Sequence, residues 1–283
     1  MSTKISWATD TWSPIIGCTK TSAGCVNCYA ERMAYRLACM GQKKYQATTG
    51  ILGYMQGWNG KIYCDESALD IPLHWRKGRK IFVCSMGDLF HPSVPFEFID
   101  KVFGVMFANP WHTYQILTKR PERWIRYIQD NPARRLQDQK YIWAGITIEH
   151  PDYKNRADIL RQIPTAVRFL SIEPCLADMG ELNLEELDQV IVGGESGPGA
   201  RPLHPDWVRS IRDQCQDAGV PFFFKQWGEW ELSCAQGTRE SSDEGLYGYN
   251  CRKLIIGRDT FMRVGKKKAG CLLDGKEYKE IPK

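Results

Sequence analysis

Short apolar runs rich in β-branched and aromatic residues recur along this chain, with stretches of helical spacing between them. Runs of that length and composition read as strands buried on both faces of a parallel sheet. Six are predicted: Ile81 to Ser85, Thr113 to Thr118, Ile142 to Thr147, Val167 to Ile172, Gln189 to Gly193 and Val220 to Phe224. Apolar positions three and four apart predict helices over Tyr29 to Cys39, Phe96 to Ala108, Glu122 to Gln129, Tyr153 to Ile163, Leu184 to Leu187 and Asp206 to Ala218. Such alternation implies an α/β protein whose parallel strands are joined by helical crossovers, either a TIM-like barrel or a doubly wound sheet.

Polar residues cluster just after the predicted strands. In order they are Asp88, Lys119 with Arg120, Glu149, Glu173, Glu195 with Ser196, and Lys225 with Gln226. In a barrel all these ends converge on one face, whereas in an open sheet only those beside the switch point meet. The series favours the barrel. Two regions interrupt the rhythm. Gly41 to Asp65 reads as a long loop or insertion, and beyond about Trp230 the alternation gives way to scattered glycines, including Gly237, Gly245, Gly248 and Gly257. The expected organisation is a barrel over residues 1–230, with a cysteine-rich loop near its start. A C-terminal extension over 231–283 would pack on or beside it.

Composition narrows the class. Of 283 residues, 43 % are apolar and 25 % charged, as in ordinary globular proteins. No run approaches the ~18 apolar residues of a spanning helix, and the first residues lack a signal-peptide plan. A cytoplasmic protein without a membrane partner is expected. Lys and Arg exceed Asp and Glu by 38 to 33, a net charge of +5 that permits a polyanionic partner without demanding one. Eleven cysteines, an odd number in a chain large enough for a core, imply reduced thiols.

The densest chemical signal is Gly17-Cys18-Thr19-Lys20-Thr21-Ser22-Ala23-Gly24-Cys25-Val26-Asn27-Cys28-Tyr29, a Cys-x6-Cys-x2-Cys array just before the first predicted helix. A helix N-terminus favours thiolates. Three thiolates without a nearby fourth ligand suit a four-iron, four-sulfide cluster whose last iron is open, although most electron-transfer clusters take four cysteines. The other readings are a structural zinc site completed by a distant ligand, and three merely structural cysteines. Zinc usually takes paired cysteines in duplicate, and no second pair occurs.

Trp12-x-Pro14, the Gly-Cys and Gly-Cys-x-x-Cys-Tyr-Ala elements, Ser85 to Phe90, Leu117 to Pro121, Ser171 to Pro174, Gly193 to Gly197 and Phe224 to Gly228 together resemble the phage three-cysteine-motif family. That family is catalogued as a domain of unknown function. It is similar to radical S-adenosylmethionine enzymes, which implies a partial (β/α)6 barrel with the cluster in the loop after the first strand. The gap between Cys18 and Cys25 is six residues where most of that superfamily has three, and the aromatic Tyr29 follows the last pair rather than preceding it.

The resemblance implies that Cys18, Cys25 and Cys28 hold the cluster and that S-adenosylmethionine chelates its open iron. A sulfonium and an amino group favour carboxylates and hydroxyls, and a carboxylate favours Lys or Arg. The candidate cofactor-binding residues are therefore Tyr29, Ser85, Asp88, Lys119, Arg120, Glu149, Glu173, Glu195, Ser196 and Lys225. Each has a plainer reading as a capping or solvated polar residue at a strand end. Gly-Gly-Glu at Gly193 to Glu195 matches an amino-group binder of radical enzymes, but it follows the fifth predicted strand rather than the second, and it also reads as a tight turn with local hydrogen bonds. Neither the dinucleotide-binding glycine pattern nor a phosphate-binding P-loop occurs.

The phage setting that the resemblance implies makes a nucleotide or nucleic-acid base the expected substrate, while the electron donor is unspecified. Two other functions stay open: a zinc-binding structural or nucleic-acid-interaction module, and a non-radical enzyme holding magnesium or manganese on strand-end carboxylates. His91, His150 and His204 are placed to carry protons but read first as structural. Trp58, Trp143, Trp227 and Trp230 read first as core, with base stacking as the alternative. Lys266 to Lys268 and the pair Arg134 and Arg135 read first as solvated surface, with phosphate contact as the alternative.

Overall fold

The computed structural model describes residues 3, 5–52, 55–131, 133, 136, 138–233 and 252–282. Arg134, Arg135, Gly237, Gly245 and Gly248 lie outside the described residues. Seven strands belong to one sheet, ordered as they occur in the chain: β1 (Asp10–Trp12), β2 (Lys80–Val83), β3 (Thr113–Thr118), β4 (Ile142–Thr147), β5 (Val167–Ile172), β6 (Gln189–Gly193) and β7 (Phe222–Gln226). The main helices are α1 (Tyr29–Cys39), α2 (Phe96–Ala108), α3 (Pro121–Asp130), α4 (Asn155–Arg161) and α5 (Pro205–Asp217). The chain divides into two compact units, Met1–Thr147 with Asn155–Leu170, and Ile148–Lys154 with Ser171–Lys283.

In the first unit the ladders are parallel, with Asp10 opposite Ile81, Ile81 opposite Tyr114, and Tyr114 opposite Ile142. Every residue of β4 is buried, which is why it reads as one unbroken apolar run. Helix α2 buries Phe98, Ile99, Val102, Phe103 and Met106, one face of a 3.6-residue period. Pro121 sits in the first turn of α3, where a missing amide costs nothing, and Trp124 of that helix stacks on Phe90 at 4.4 Å. That stack adds about 0.5–1.5 kcal/mol to simple burial and fixes the loop after β2.

In the second unit β6 pairs in parallel with β7, Val190 opposite Phe222. The Phe224 amide donates to the Tyr278 carbonyl, and Phe223 bridges to Lys279, so the C-terminal end of the chain adds to the β7 edge. A three-stranded antiparallel sheet is formed by residues Trp230–Leu232, Lys253–Ile256 and Asp259–Arg263.

Four predicted strands and two predicted helices have the expected bounds. The last strand begins two residues later than predicted, because Pro221 has no amide to donate and the Val220 amide closes the end of α5 on Cys215. Leu184 to Leu187 is not helical. Asn183 accepts the Glu185 amide through its side chain, and Glu186 adopts a φ of 57°. The expected loop between Gly41 and Asp65 contains a helical turn at Lys43–Gln46, a hairpin of Thr49–Leu52 with Met55–Trp58, and a strand, Tyr63–Cys64, paired with Ile15–Ile16. The first strand, β1, is absent from the sequence-based expectation; the cysteine loop follows it.

Candidate functional site

Gly17 opens the cysteine loop. Its φ of 102° and the Lys61 carbonyl, which an added Cβ would meet at 2.4 Å, leave room for glycine only. Its amide donates to the Met86 carbonyl, tying the loop to the turn after β2. Ile16, Ala30, Ala34, Ala38, Tyr45, Trp58 and Met86 form a buried cluster against which Cys18 and Cys28 pack. Cys28 is the N-cap residue of α1, where the amides of Ala30 and Glu31 favour a thiolate.

Two cations reach the thiols from the loop after β3. The Lys119 ammonium lies 3.6 Å from Cys25 Sγ and 3.3 Å from Ser22 Oγ, and Arg120 Nη1 lies 3.7 Å from Cys18 Sγ. At Cys25 burial raises the pKa, but Lys119 and the hydrogen bonds from Thr21 and Ser22 outweigh it, so the net shift is downward. Burial, helped by the Asp88 carboxylate and opposed by Arg120, pushes Cys18 up to about 11. Burial likewise raises Cys28 despite the amides of α1. Cys25 is thus the thiol of the three that gives up its proton most readily.

Behind Cys18 stands a buried brace. Arg120 Nη1 donates to Asp88 Oδ2 at 2.7 Å, while Nη2 donates to the Thr19 carbonyl at 2.8 Å and to Thr19 Oγ1 at 3.0 Å. Asp88 also accepts from Thr118 Oγ1 at 2.7 Å and from the amides of Phe90 and Lys119. His91 Nε2 meets Thr19 Oγ1 at 2.9 Å, and its Nδ1 accepts the Ser93 amide. Burial, then Arg120, lowers the His91 pKa to about 4 and keeps the ring neutral. The Tyr29 hydroxyl donates to the Ser85 carbonyl at 3.1 Å, and Ser85 Oγ meets Ser13 Oγ. The first unit therefore gathers Tyr29, Ser85, Asp88, Lys119 and Arg120 around the three cysteines.

The second unit holds the other five candidates. Lys225 Nζ pairs with Glu173 Oε1 at 2.6 Å. Glu195 is buried and takes the Arg201 side chain on both oxygens, at 2.8 and 2.6 Å, together with the Arg201 amide. The glycine before it has its own reason: a Cβ on Gly194 would lie 2.0 Å from the Trp227 carbonyl. Glu149 is fully buried after β4, and Ser196 follows Glu195 at the end of β6.

His150 and His204 cap helical turns, accepting the amides of Asp152 and Asp206, and His204 also meets Asp259 at 3.0 Å. The indoles of Trp143, Trp227 and Trp230 donate to backbone carbonyls, and Trp58 lies in the α1 cluster. Lys266 to Lys268 fall on a single helical turn, Lys266–Ala269. Sequence reasoning missed the Thr19 and Ser22 contacts to the two cations, because nothing local marks a hydroxyl or carbonyl that pairs with a residue about a hundred positions away.

Three thiols on one loop, compensated by an ammonium and a guanidinium, suit an anionic metal–sulfur group. Among the described residues no three His, Cys, Asp or Glu side chains form a group able to hold a metal ion as they stand. A four-iron cluster takes each thiolate on a separate iron, so it asks less convergence of the sulfurs than one zinc ion does. Among the described residues no helix is long and apolar enough to cross a membrane.

The family described as protein of unknown function (DUF5131) matches residues 2–282. No curated protein and no solved structure matches the chain.

Proposed function

The chain belongs to that family, whose description carries no activity, and we propose from the thiol site that it is an iron–sulfur protein of the radical S-adenosylmethionine type. Cys18, Cys25 and Cys28 would hold a four-iron cluster in the loop after the first strand of a partial (β/α)6 barrel, in a cytoplasmic protein. One observation carries the reading: Lys119 and Arg120, adjacent in sequence, each reach a different cysteine sulfur of that loop. A structural disposition of buried thiols has no need of two cations, whereas thiolates carrying an anionic cluster do.

The cluster, when bound with S-adenosylmethionine, supplies one-electron cleavage of the sulfonium and hence a carbon radical. The chain's own residues do the rest. Lys119 and Arg120 offset thiolate charge, and Asp88 is a positioning residue that fixes the Arg120 guanidinium on Cys18 and Thr19. Tyr29, held by the Ser85 carbonyl, forms the lip of the loop. The reading rests on the first unit alone, and its substrate class is a nucleotide or nucleic-acid base.

Anaerobic purification with iron and sulfide analysis, and electron paramagnetic resonance after reduction with and without S-adenosylmethionine, tests it. About four irons per chain and a spectrum altered by the cofactor are expected. Cys18→Ala, Cys25→Ala and Cys28→Ala should each lose the cluster, while Cys39→Ala, Cys64→Ala and Cys271→Ala keep it. Zinc in place of iron, or equal behaviour of all six variants, overturns the reading. Magnesium or manganese bound independently of the three cysteines, with neither iron nor sulfide present, would leave the divalent-metal enzyme in its place.

A further inference from the structure

The net charge of this protein is not spread along it. Between Asp10 and Asp65 the chain carries six of the 38 Lys and Arg residues, namely Lys20, Arg32, Arg36, Lys43, Lys44 and Lys61, and one of the 33 acids, Glu31. The remainder holds 32 of each sign, so the whole excess of +5 lies in that one segment. Glu31 is buried, accepts the Trp58 amide and pairs with Lys20, and Asp65 pairs with Lys44. Arg36, Lys43 and Lys61 are exposed.

After β1 the same segment packs around one buried cluster. Its inner face is the Ala30, Ala34 and Ala38 side of α1, packed on Tyr45 and Trp58. Its outer face runs Tyr29, Met33, Arg36 and Met40, at spacings of four, three and four, which places them along one side of the helix. Tyr29, Met33 and Met40 are all exposed, Tyr29 to 51 %, and so are Val26 just before them and Tyr63 on the strand that pairs with Ile15–Ile16. Large apolar and aromatic surfaces left in water among cations, with no exposed acid in the segment, form the combination that takes stacked bases on rings and phosphates on Lys and Arg.

We propose that the stretch from Ile16 to Cys64 forms a single-stranded nucleic-acid-binding lobe, with Tyr29 as a stacking platform beside Cys28 and with Arg36, Lys43 and Lys61 on the phosphates. An acidic protein partner fits the charge but makes no use of the exposed ring face of Tyr29, which a base can stack on. The inference rests on the reading above only for the chemistry done on the bound base. Binding is measured on the metal-free chain, so failure of the cluster and failure of the lobe are told apart.

The experiment is fluorescence anisotropy of the full chain with a labelled single strand of about 16 nucleotides, as DNA and as RNA, between about 50 and 200 mM salt. At least one strand should bind with an affinity that falls with salt. Arg36→Glu/Lys43→Glu/Lys61→Glu should weaken binding roughly tenfold or more and flatten the salt slope by about 2, since each lost phosphate contact removes about 0.7. Lys266→Glu/Lys267→Glu/Lys268→Glu, equal in charge change, should bind as the parent does. Tyr29→Ala should cost roughly 5- to 150-fold, and Tyr29→Phe, which keeps the ring and removes the hydroxyl, should restore it. The proposal is overturned by no binding at the lowest salt, by equal losses in the two triple variants, or by a duplex binding as tightly as the single strand. Displacement by polyglutamate as readily as by unlabelled strand would equally overturn it, in favour of an acidic protein partner.

Discussion

Replacing Asp88 by Leu should destabilise the first unit by about 3–5 kcal/mol, the usual consequence of stranding one member of a buried ion pair. The side chains of Arg120 and Asp88 are only 10 % and 7 % exposed, and they meet at 2.7 Å. Asp88 also accepts from Thr118 Oγ1 and from the amides of Phe90 and Lys119, so its loss leaves three further donors unmatched. In the metal-free chain, where burial keeps Cys18 protonated, the contacts Arg120 keeps on Thr19 and Cys18 are all to neutral groups, which do not balance a guanidinium. Because the chain has two compact units and need not unfold in one step, denaturant melting is best read with hydrogen exchange over residues 86–94 and 117–121. Exchange at Phe90 and Lys119 should accelerate. Removing the stranded charge should then help: Asp88→Leu/Arg120→Met should be at least about 1 kcal/mol more stable than Asp88→Leu alone. If the double variant is no more stable than that single one, the cost does not come from an uncompensated guanidinium and the brace behind Cys18 has been misread.

His91 has a folded pKa of about 4 against an ordinary 6.5, so the unfolded chain binds its proton first on acidification. Its contribution is complete above pH 6.5 and is lost as the pH falls toward 4. Urea melts should lose about 1–3 kcal/mol over that window, the upper figure being the unscreened shift, and His91→Gln should flatten the profile. Gly17→Ala forces a side chain into a left-handed backbone against the Lys61 carbonyl, so it should cost more than about 1 kcal/mol in melts and lower cluster content after reconstitution. Retention of parent-like stability and iron by that variant would show that the loop mouth tolerates being opened.

The six predicted strands were legible because a parallel strand covered on both faces leaves a mostly apolar run, clearest in Ile142–Thr147 and still readable where Gln115 and Arg168 interrupt it. Strand β1 was not, since it is three residues, Asp-Thr-Trp, and begins with an acid that Arg79, distant in sequence, reaches at 2.7 Å. The hairpin within residues 49–58 was hidden by its glycines. At Gly57 a Cβ would collide with the Glu31 carboxylate that anchors the hairpin, so the residue that weakens the strand pattern is the one the packing requires.

The site was legible as chemistry and illegible as geometry. Three cysteines and two cations are plain in the sequence, yet the contacts of Cys25 with Lys119 and of Cys18 with Arg120 span 94 and 102 residues, a distance only the sheet can close. Glu195 illustrates the converse. Gly-Gly-Glu invites a ligand, but in the fold Gly194 makes room for the Trp227 carbonyl and Glu195 takes the Arg201 guanidinium, so both residues already have local work. The charge of the cysteine lobe stood in the sequence throughout and was lost by averaging over 283 residues. A net charge describes solubility, whereas recognition depends on where along the surface that charge lies. In this chain the excess lies beside the thiols, where a polyanionic substrate would have to be held if the chemistry of Cys18, Cys25 and Cys28 acts upon it.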